Sequence, residues 1–295
     1  MRLGFDIGGT FIKLFDGRRV EKVKTPRSVE GIVSIIAKKV QKARAGRVGV
    51  AVAGLVDIRE GVVTESPNLS FLNGTPLKFL LEKELHVPVL TVNDATAAAY
   101  AEYFRGAGRG SSLLVCLTIG TGLGGGAVLK GELLLGTSGA AMEVGHTVVE
   151  KDGWPCRCGR RGCLEAYVSS YGLEKLYLSK SGRKLPSHEV IQRALLGEPE
   201  AKQAVGKMVE YLSVGVMNLV HIFNPDVVVL AGGIPSNYPE IVDMTERLVR
   251  EKAFPLTLKE LTIKLAELGE FSGAIGAWML SDNLPDSNSR SDRNV

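Results

Sequence analysis

The chain has 295 residues, of which 45% are hydrophobic and 23% are charged, and its formal net charge is +4. This composition is typical of a globular protein with one large domain or two of ordinary size. The mild charge excludes a dense basic surface for nucleic acids or membranes, and no apolar run approaches the ~20 residues of a membrane span. Because the sequence starts without an apolar signal region, we expect a cytoplasmic protein.

The first residues of the chain predict two short strands joined by a glycine-rich loop. Arg2–Phe5 and Phe11–Phe15 are apolar, and between them lies the loop Asp6-Ile-Gly8-Gly9-Thr10. A loop with little side chain to shield its backbone presents several N–H groups to one point, as phosphate-binding loops do. We therefore predict a phosphate-binding hairpin at this position.

The same pattern returns further along the chain. The strand Leu113–Leu117 is followed by the loop Thr118-Ile-Gly120-Thr121-Gly122 and by a second strand, Gly126–Gly131. The letters Gly120–Gly125 also match the dinucleotide fingerprint, which requires a helix after the loop, and a hairpin without a ligand is a further alternative. Two copies in one chain favour loops that clamp a polyphosphate between them.

Helical spacing and continuous apolar runs predict alternating helices and buried strands. The predicted helices are Val29–Arg44, Pro76–Leu85, Ala97–Phe104, Leu164–Lys180, His188–Leu196, Glu200–Phe223, Pro239–Arg250 and Gly269–Leu280. The predicted strands are Arg47–Ala53, Val87–Val92, Thr147–Glu150, Asp226–Ala231 and Leu261–Leu265. His188 is interpreted as a solvated or capping residue, and one face of the long helix Glu200–Phe223 as core or as a dimer face.

The small-residue stretch Gly106–Ser112 is the best domain boundary in the chain. We expect a smaller N-terminal α/β lobe of residues 1–110 and a larger lobe of residues 111–281. The C-terminal helix near residues 270–281 would be able to pack back on the first lobe. The polar residues 282–295 are predicted to form a disordered tail.

Polar residues or glycines follow two of the buried strands. Asn93 and Asp94 come after the strand that ends at Val92, and Gly232 and Gly233 come after Asp226–Ala231. An Asn or Asp before a helix is a common N-cap, so Asp94 is either a cap or a group that serves a substrate hydroxyl. A glycine pair after a strand is a weaker indication of nucleotide binding, since many α/β loops have one.

Three of the four cysteines lie within one short stretch. Cys156, Cys158 and Cys163 surround a tight glycine turn, and with His146 they make a Cys3His set, which is common in closed structural zinc sites. The alternative is a local disulfide with one free thiol. The fourth cysteine, Cys116, lies in a predicted strand and is expected to be a core residue.

Taken together, these stretches resemble the ROK family of sugar kinases and repressors, within the actin-like ATPase superfamily, over nearly all of the chain before the tail. Asp6–Thr10 looks like its first phosphate motif, Thr118–Gly122 like its second and Ala231–Ile234 like its adenosine motif. Glu143–His146 and Cys156–Glu165 match the family's own signature. The resemblance implies an α/β, two-lobed actin-like ATPase fold (ribonuclease H-like, duplicated), with a ligand cleft between the lobes.

The resemblance also implies roles for single residues. Asp94 is similar to the family's general base, which takes the proton from the sugar 6-hydroxyl, and Asp6 would help to position Mg²⁺. The positions that would hydrogen-bond the sugar or line its pocket are Gly54, Asn68, Asn93, Asp94, Glu143, His146 and Glu165. The positions that would hold ATP are Asp6, Gly8, Gly9, Thr10, Thr118, Gly120, Thr121, Gly122, Gly232 and Gly233. His146 would bind zinc through one ring nitrogen and the sugar through the other, so we expect zinc loss to weaken sugar binding strongly and ATP binding weakly.

The implied activity is ATP-dependent phosphorylation of a hexose, with glucose as the first candidate. N-acetylglucosamine, N-acetylmannosamine, mannose, fructose and allose stay open, because the sequence departs from many relatives near Gly54 and at Phe71. A non-catalytic sugar-sensing regulator is disfavoured by the intact Asp94 and loops, and a dinucleotide-dependent oxidoreductase would need a helix after Gly122. We expect no N-terminal DNA-binding domain, no nucleic-acid or membrane partner, and a homodimer or homotetramer.

Overall fold

A computed structural model describes residues 1–284, which form two compact units. The first unit comprises Met1–Ala101, Leu134–Ala141 and the segment from Phe271 to Leu284, and the second comprises Glu102–Leu133 and Met142–Glu270. The expected boundary lay between residues 110 and 111. The chain instead first passes from one unit to the other between Ala101 and Glu102, inside a helix. A continuous helix needs no glycine-rich linker, which is why composition did not indicate this crossing.

The strands and helices alternate along the chain. In chain order the strands are β1 (Arg2–Ile7), β2 (Phe11–Phe15), β3 (Val20–Lys24), β4 (Arg47–Val52), β5 (Leu55–Asp57), β6 (Val62–Glu65), β7 (Val89–Asn93), β8 (Leu113–Ile119), β9 (Leu123–Leu129), β10 (Glu132–Leu133), β11 (Val227–Ala231) and β12 (Thr262–Leu265). The helices are α1 (Val29–Ala43), α2 (Leu77–Leu85), α3 (Asp94–Arg105), α4 (Ser170–Ser181), α5 (Ser187–Leu195), α6 (Pro199–Phe223), α7 (Gly233–Asn237), α8 (Ile241–Lys252) and α9 (Ser272–Leu280).

The sheet of the first unit has the order β3-β2-β1-β4-β7. Strands β3, β2 and β1 are antiparallel, and β1, β4 and β7 are parallel. Alternate residues of a strand face opposite sides of a sheet, so Leu3 and Phe5 pack into a core with Ile32 and Ile36 of α1. On the other face lies α9, where a Cβ at Gly49 would come within 1.9 Å of the Ala277 carbonyl oxygen. Only glycine lets this helix lie so close to the sheet.

The second unit repeats the strand order of the first. Its sheet is β10-β9-β8-β11-β12, in which β10, β9 and β8 are antiparallel and β8, β11 and β12 are parallel. Each unit therefore begins with a hairpin whose first strand continues into a parallel sheet. The predicted duplicated α/β fold is confirmed, as is the hairpin that replaces the helix required by a dinucleotide fingerprint.

Three local expectations differ from the structure. Strand β3 was not predicted because its side chains are mostly exposed and do not alternate, and the small hairpin of β5 and β6 was not predicted either. The predicted strand Thr147–Glu150 was wrong: this segment makes a single isolated bridge, between Val148 and Cys163. Its backbone follows the turns of the cysteine-rich stretch instead of a sheet.

The two ends of the expected tail have different outcomes. Asp282 lies in a short 3-10 turn, Ser281–Asn283, and its carboxylate pairs with Arg2 at 2.7 Å. The remainder of the predicted tail, residues 285–295, lies outside the described residues. Among residues 1–284, no helix has the length and apolar character that crossing a bilayer demands.

Candidate active site

Two acidic side chains stand at the carboxyl edge of the first sheet. Asp6 lies near the end of β1, and Asp94 opens α3 directly after β7. Burial raises the pKa of Asp6, and the neighbouring Lys13 opposes that rise. Burial also raises the pKa of Asp94, and the negative charge of Asp6 adds to the effect, so that this pKa reaches about 7. A carboxylate with a pKa near neutrality is suited to take up and release a proton.

Lys13 is a site residue that the sequence reasoning missed. Its Nζ lies 3.3 Å from Oδ2 of Asp6, and the two residues are directly paired across the β1–β2 hairpin. The signal was available, since closing the hairpin with Ile7 opposite Ile12 places Asp6 opposite Lys13. The lysine supplies a positive charge next to both carboxylates.

Asn93, and not Asp94, provides the typical cap of α3. Its Oδ1 accepts a hydrogen bond from the Thr96 N–H at 3.0 Å, and its Nδ2 donates to the Gly54 carbonyl at 2.9 Å. Asp94 Oδ1 accepts from the adjacent Ala95 N–H at 3.0 Å, whereas a capping side chain accepts from the N–H two or three residues further along. The structure thus brings Asn93, Asp94 and Gly54 together, and Asn93 is the residue that caps α3.

The first phosphate loop, Asp6–Thr10, is named for the ligand that the sequence predicts, and it is closed by its own backbone and by Thr25. The Gly8 N–H donates to the Phe11 carbonyl at 3.1 Å, and the buried Thr25 donates its hydroxyl to the Gly8 carbonyl at 2.7 Å. Thr10 is exposed, and Asn68 lies against Gly9, where an added Cβ would be 3.5 Å from the Asn68 Cβ. The residues of the first unit that were predicted for the site therefore lie at the carboxyl edge of its sheet.

The second phosphate loop is held from outside by a single segment. The loop Gly120–Gly122 joins β8 to β9, with Thr121 exposed and Thr118 half-buried. The Ser170 N–H donates to the Gly120 carbonyl at 2.8 Å, and the Leu123 N–H donates to Glu165 Oε2 at 2.9 Å. The loop conformation therefore depends on residues 165–170.

The predicted Cys3His set comes together as one compact group. The donor atoms of His146, Cys156, Cys158 and Cys163 all lie within 4.8 Å of one another. Cys158 and Cys163 Sγ are 3.7 Å apart, and Cys156 Sγ is 3.8 Å from His146 Nδ1. A tetrahedral zinc ion about 2.3 Å from each sulfur would set the sulfurs about 3.8 Å apart, so the group fits zinc. All four cysteines of the chain are free thiols, and burial raises the pKa of the core residue Cys116.

Glu143 and Glu165 lie beside this group. Glu143 precedes a 3-10 turn, Val144–His146, that packs on the start of β9, where a Cβ at Gly145 would be 2.2 Å from the Leu123 carbonyl oxygen. Burial raises the pKa of Glu143, the charge of His146 opposes this, and the charge of Glu165 adds to it. The structure therefore places Glu143, His146 and Glu165 in one polar cluster, and their role in sugar recognition stays a prediction.

A cavity of about 240 Å³ adjoins the second phosphate loop. Gly120 lies at one end, Gly233 forms another side, and α5 provides the far wall with residues that include His188, Gln192 and Leu195. His188 is exposed, as its interpretation as a solvated residue predicted, and it also borders this cavity because α5 turns one face toward Gly233. No lysine or arginine is among the described residues that line the cavity.

The architecture and the comparisons with known proteins agree. A glycine-tipped hairpin that runs into a parallel sheet, present in both units, is the duplicated fold of actin-like ATPases. Within that class the chain belongs to the ROK family, whose family model matches residues 2–283.

Relatives with two different sugars in their names match almost end to end. A glucokinase from Thermotoga maritima is 33% identical over 93% of this chain and 95% of its own length. An N-acetyl-D-glucosamine kinase from Pasteurella multocida is 33% identical over 95% of this chain and 99% of its own length. The solved structure of a ROK family glucokinase from Streptomyces griseus, in complex with glucose and AMPPNP, is 30% identical with a TM-score of 0.84, covering 96% of this chain and 99% of that chain.

Proposed function

We propose that this protein is an ATP-dependent hexose kinase that phosphorylates the 6-hydroxyl of its sugar, with glucose as the first substrate. The observation that carries the proposal is the environment of Asp94. This residue lies beside the buried Asp6 at the end of a parallel sheet, and its pKa is raised to about 7. Phosphoryl transfer needs little covalent chemistry from the protein beyond alignment of the acceptor, charge neutralisation and removal of one proton. Asp94 meets the last need, and Asp6 would serve charge neutralisation by helping to hold Mg²⁺.

In this mechanism Asp94 accepts the proton of the sugar hydroxyl as the oxygen attacks the γ-phosphorus of ATP, and the bond from that phosphorus to the bridging oxygen breaks to release ADP. The raised pKa makes the carboxylate a stronger base than a solvated aspartate, while leaving about half of it ionised near pH 7. Asp6 would help to hold Mg²⁺, which when bound neutralises charge on the phosphates. Lys13, at 3.3 Å from Asp6, keeps positive charge near the two carboxylates.

The sugar would be held by hydrogen bonds from the polar residues around these groups. In the first unit, Asn93 and Asp94 would contact its hydroxyls, with Gly54 and Asn68 lining the pocket. In the second unit, the proposed contacts come from the cluster of Glu143, His146 and Glu165. The Nδ1 atom of His146 faces Cys156, which leaves Nε2 on the other side of the ring for a sugar hydroxyl.

ATP would bind through the two glycine loops and the cavity beside the second one. Gly8, Gly9 and Thr10 of the first loop, and Thr118, Gly120, Thr121 and Gly122 of the second, are the proposed phosphate contacts. The cavity beyond Gly120 reaches Gly233, which directly follows Gly232, and the adenosine would lie there. Its mixture of apolar walls and neutral polar groups supports a base-bearing donor, since inorganic polyphosphate would require cations along the same path.

Zinc, held by His146, Cys156, Cys158 and Cys163, would have a structural role. Four protein donors leave no coordination position for a reactive water molecule, so no chemical step is expected there. The Cys3His group instead fixes the backbone from which Glu143 and Glu165 project. The similarity of donor separations to those of a tetrahedral site supports this assignment.

The sugar is best decided by a direct assay. N-acetylglucosamine is the second candidate, because one relative named as its kinase is as similar in sequence as the glucokinase from Thermotoga maritima. A panel of hexoses and N-acetylhexosamines would be tested with ATP and Mg²⁺ by following ADP release. A higher kcat/KM for glucose than for every other sugar supports the proposal, and no sugar-dependent ADP release would refute it.

A further inference from the structure

The carboxylate of Glu165 is bonded directly to the second phosphate loop. Its Oε2 accepts from the N–H of Leu123, the residue that immediately follows the loop, at 2.9 Å. The other end of the loop is held by the Ser170 N–H, which donates to the Gly120 carbonyl at 2.8 Å. One short segment, residues 165–170, therefore makes hydrogen bonds at both ends of the loop.

The orientation of this carboxylate is fixed from its other side. Glu165 Oε1 accepts from the Tyr171 hydroxyl at 3.2 Å, and the guanidinium of Arg157 stacks over the Tyr171 ring at 4.3 Å. Glu165 lies two residues after Cys163, in a 3-10 turn that Cys163 precedes. Its position is therefore set by the Cys3His group and its orientation by Tyr171.

The contacts with the loop leave Glu165 able to bind a further donor. The side chain is half-buried, and each oxygen of an ionised carboxylate can accept more than one hydrogen bond. Under the proposed function, on which this inference rests, a sugar hydroxyl is that further donor. One side chain would then touch the sugar while it holds the loop that binds the nucleotide.

We propose that Glu165 is a positioning residue that couples occupancy of the sugar site to affinity for the nucleotide. A sugar hydroxyl on the carboxylate restricts the rotamers of Glu165 and therefore the freedom of Leu123 and the loop. The nucleotide then meets a loop that is already ordered, and it binds more tightly. Because coupling between binding sites is reciprocal, the nucleotide must strengthen sugar binding by the same factor.

The test is calorimetric titration of AMPPNP with Mg²⁺ into the full-length zinc-loaded protein, with and without glucose. In the wild type we expect glucose to lower the Kd of AMPPNP by about fivefold or more, the usual range of coupling between sites. Glu165→Ala should raise the Kd of AMPPNP without glucose and abolish the effect of glucose. Glu165→Gln keeps an oxygen that can accept from Leu123, so it should restore most of the nucleotide affinity without glucose.

Glu143→Ala is the matched control. Glu143 is also half-buried and belongs to the same proposed sugar-binding cluster, but no hydrogen bond to the phosphate loop is recorded for it. It should weaken sugar binding and leave the Kd of AMPPNP unchanged. Zinc content and thermal melting of each variant show that the fold is retained.

Two results would overturn the coupling role. The first is an unchanged AMPPNP Kd in Glu165→Ala, and the second is an equal rise in Glu165→Ala and Glu143→Ala, which would indicate general loosening. If a variant loses zinc or melts early, Tyr171→Phe replaces it. This change removes the hydroxyl bond to Oε1 and the hydroxyl contact with Cys156 Sγ at 3.7 Å, so its zinc content is measured as well, and it should reduce the coupling factor. A wild-type protein that binds no nucleotide would instead refute the proposed function.

Discussion

The ammonium group of Lys13 lies 3.3 Å from the Asp6 carboxylate, at paired positions of the first hairpin. This pair stands next to Asp94, whose pKa is raised by burial and by Asp6 and is held down in part by Lys13. The lysine therefore moderates a cluster in which two negative charges would otherwise repel each other. Its removal gives the first prediction.

Lys13→Met should move the acidic limb of the kcat/KM profile to higher pH. In the wild type this limb should fall near pH 7, because the activity is lost when Asp94 becomes protonated. Without the positive charge of Lys13, the ionised form of Asp94 is less favourable and its pKa rises further. Lys24→Met, which removes an exposed lysine from the neighbouring strand β3, is the control and should leave the limb in place. An unchanged limb in Lys13→Met would show that Lys13 does not act on the base.

Asp94→Asn should separate catalysis from stability. Loss of the base should lower kcat by about 10²–10⁴-fold, with sugar binding largely kept. The same substitution should lower activity but raise the free energy of unfolding at alkaline pH. The folded-state pKa of about 7 lies above the ordinary value of 3.8, so the stabilisation from protonated Asp94 is complete below about pH 4 and is lost as pH rises through 7.

The asparagine variant does not lose stability as pH rises through 7, because its side chain cannot ionise. Urea unfolding at pH 8 should therefore find Asp94→Asn about 1–3 kcal/mol more stable than the wild type, after allowance for partial exposure to solvent. At pH 4–5 the difference should shrink toward zero. A variant that is equally stable or less stable at pH 8 would contradict the raised pKa, whatever its activity.

The parts of the fold that could be predicted depend on contacts between near neighbours. The hairpins at Gly8 and Gly120 and the amphipathic helix α1 follow from local patterns, and the buried residues of α1 include Ile32 and Ile36 as its spacing predicts. Strand β3 was missed because an exposed edge strand carries no alternation of polar and apolar residues. Thr147–Glu150 looked like a strand, but the nearby cysteine turns decide its path.

The candidate site divides in the same way. Asp6, Asp94 and the cysteines stand out by residue type and by their position after strands or in a tight cluster. The bond from Glu165 to Leu123 joins residues 42 apart in the chain, and no local pattern contains it. The role of α5 was missed for the same reason, since only the packed structure shows which of its faces meets the loop at Gly120.

The wall of the cavity near Gly120 offers a matched pair of variants. Leu195 is 53% exposed and lines this cavity, whereas the next residue, Leu196, is 87% exposed and does not. Leu195→Ala removes apolar surface from the proposed base site and should raise the KM for ATP several-fold, since a buried CH₂ is worth about 0.8 kcal/mol. Leu196→Ala should have no such effect, and neither change should alter the KM for the sugar. Equal KM values for ATP in the two variants would place the base elsewhere.

Removal of the metal should affect both substrates. The sequence alone predicted that zinc loss would raise the sugar KM strongly and the ATP KM weakly. The bonds of Glu165 to Leu123 and of Ser170 to Gly120 change this expectation, because the segment after Cys163 also holds the phosphate loop.

Cys158→Ser should bring zinc below one ion per chain, measured by metal analysis, since a hydroxyl is a much poorer zinc ligand than a thiolate. The KM for the sugar and the Kd for AMPPNP should then rise together. Cys116→Ser is the control cysteine, because it lies in β8 away from the Cys3His group, and it should keep full zinc content. Full zinc in Cys158→Ser would show that the ligand set is wrong. Loss of zinc with an unchanged AMPPNP Kd would show that the phosphate loop holds its conformation without the metal.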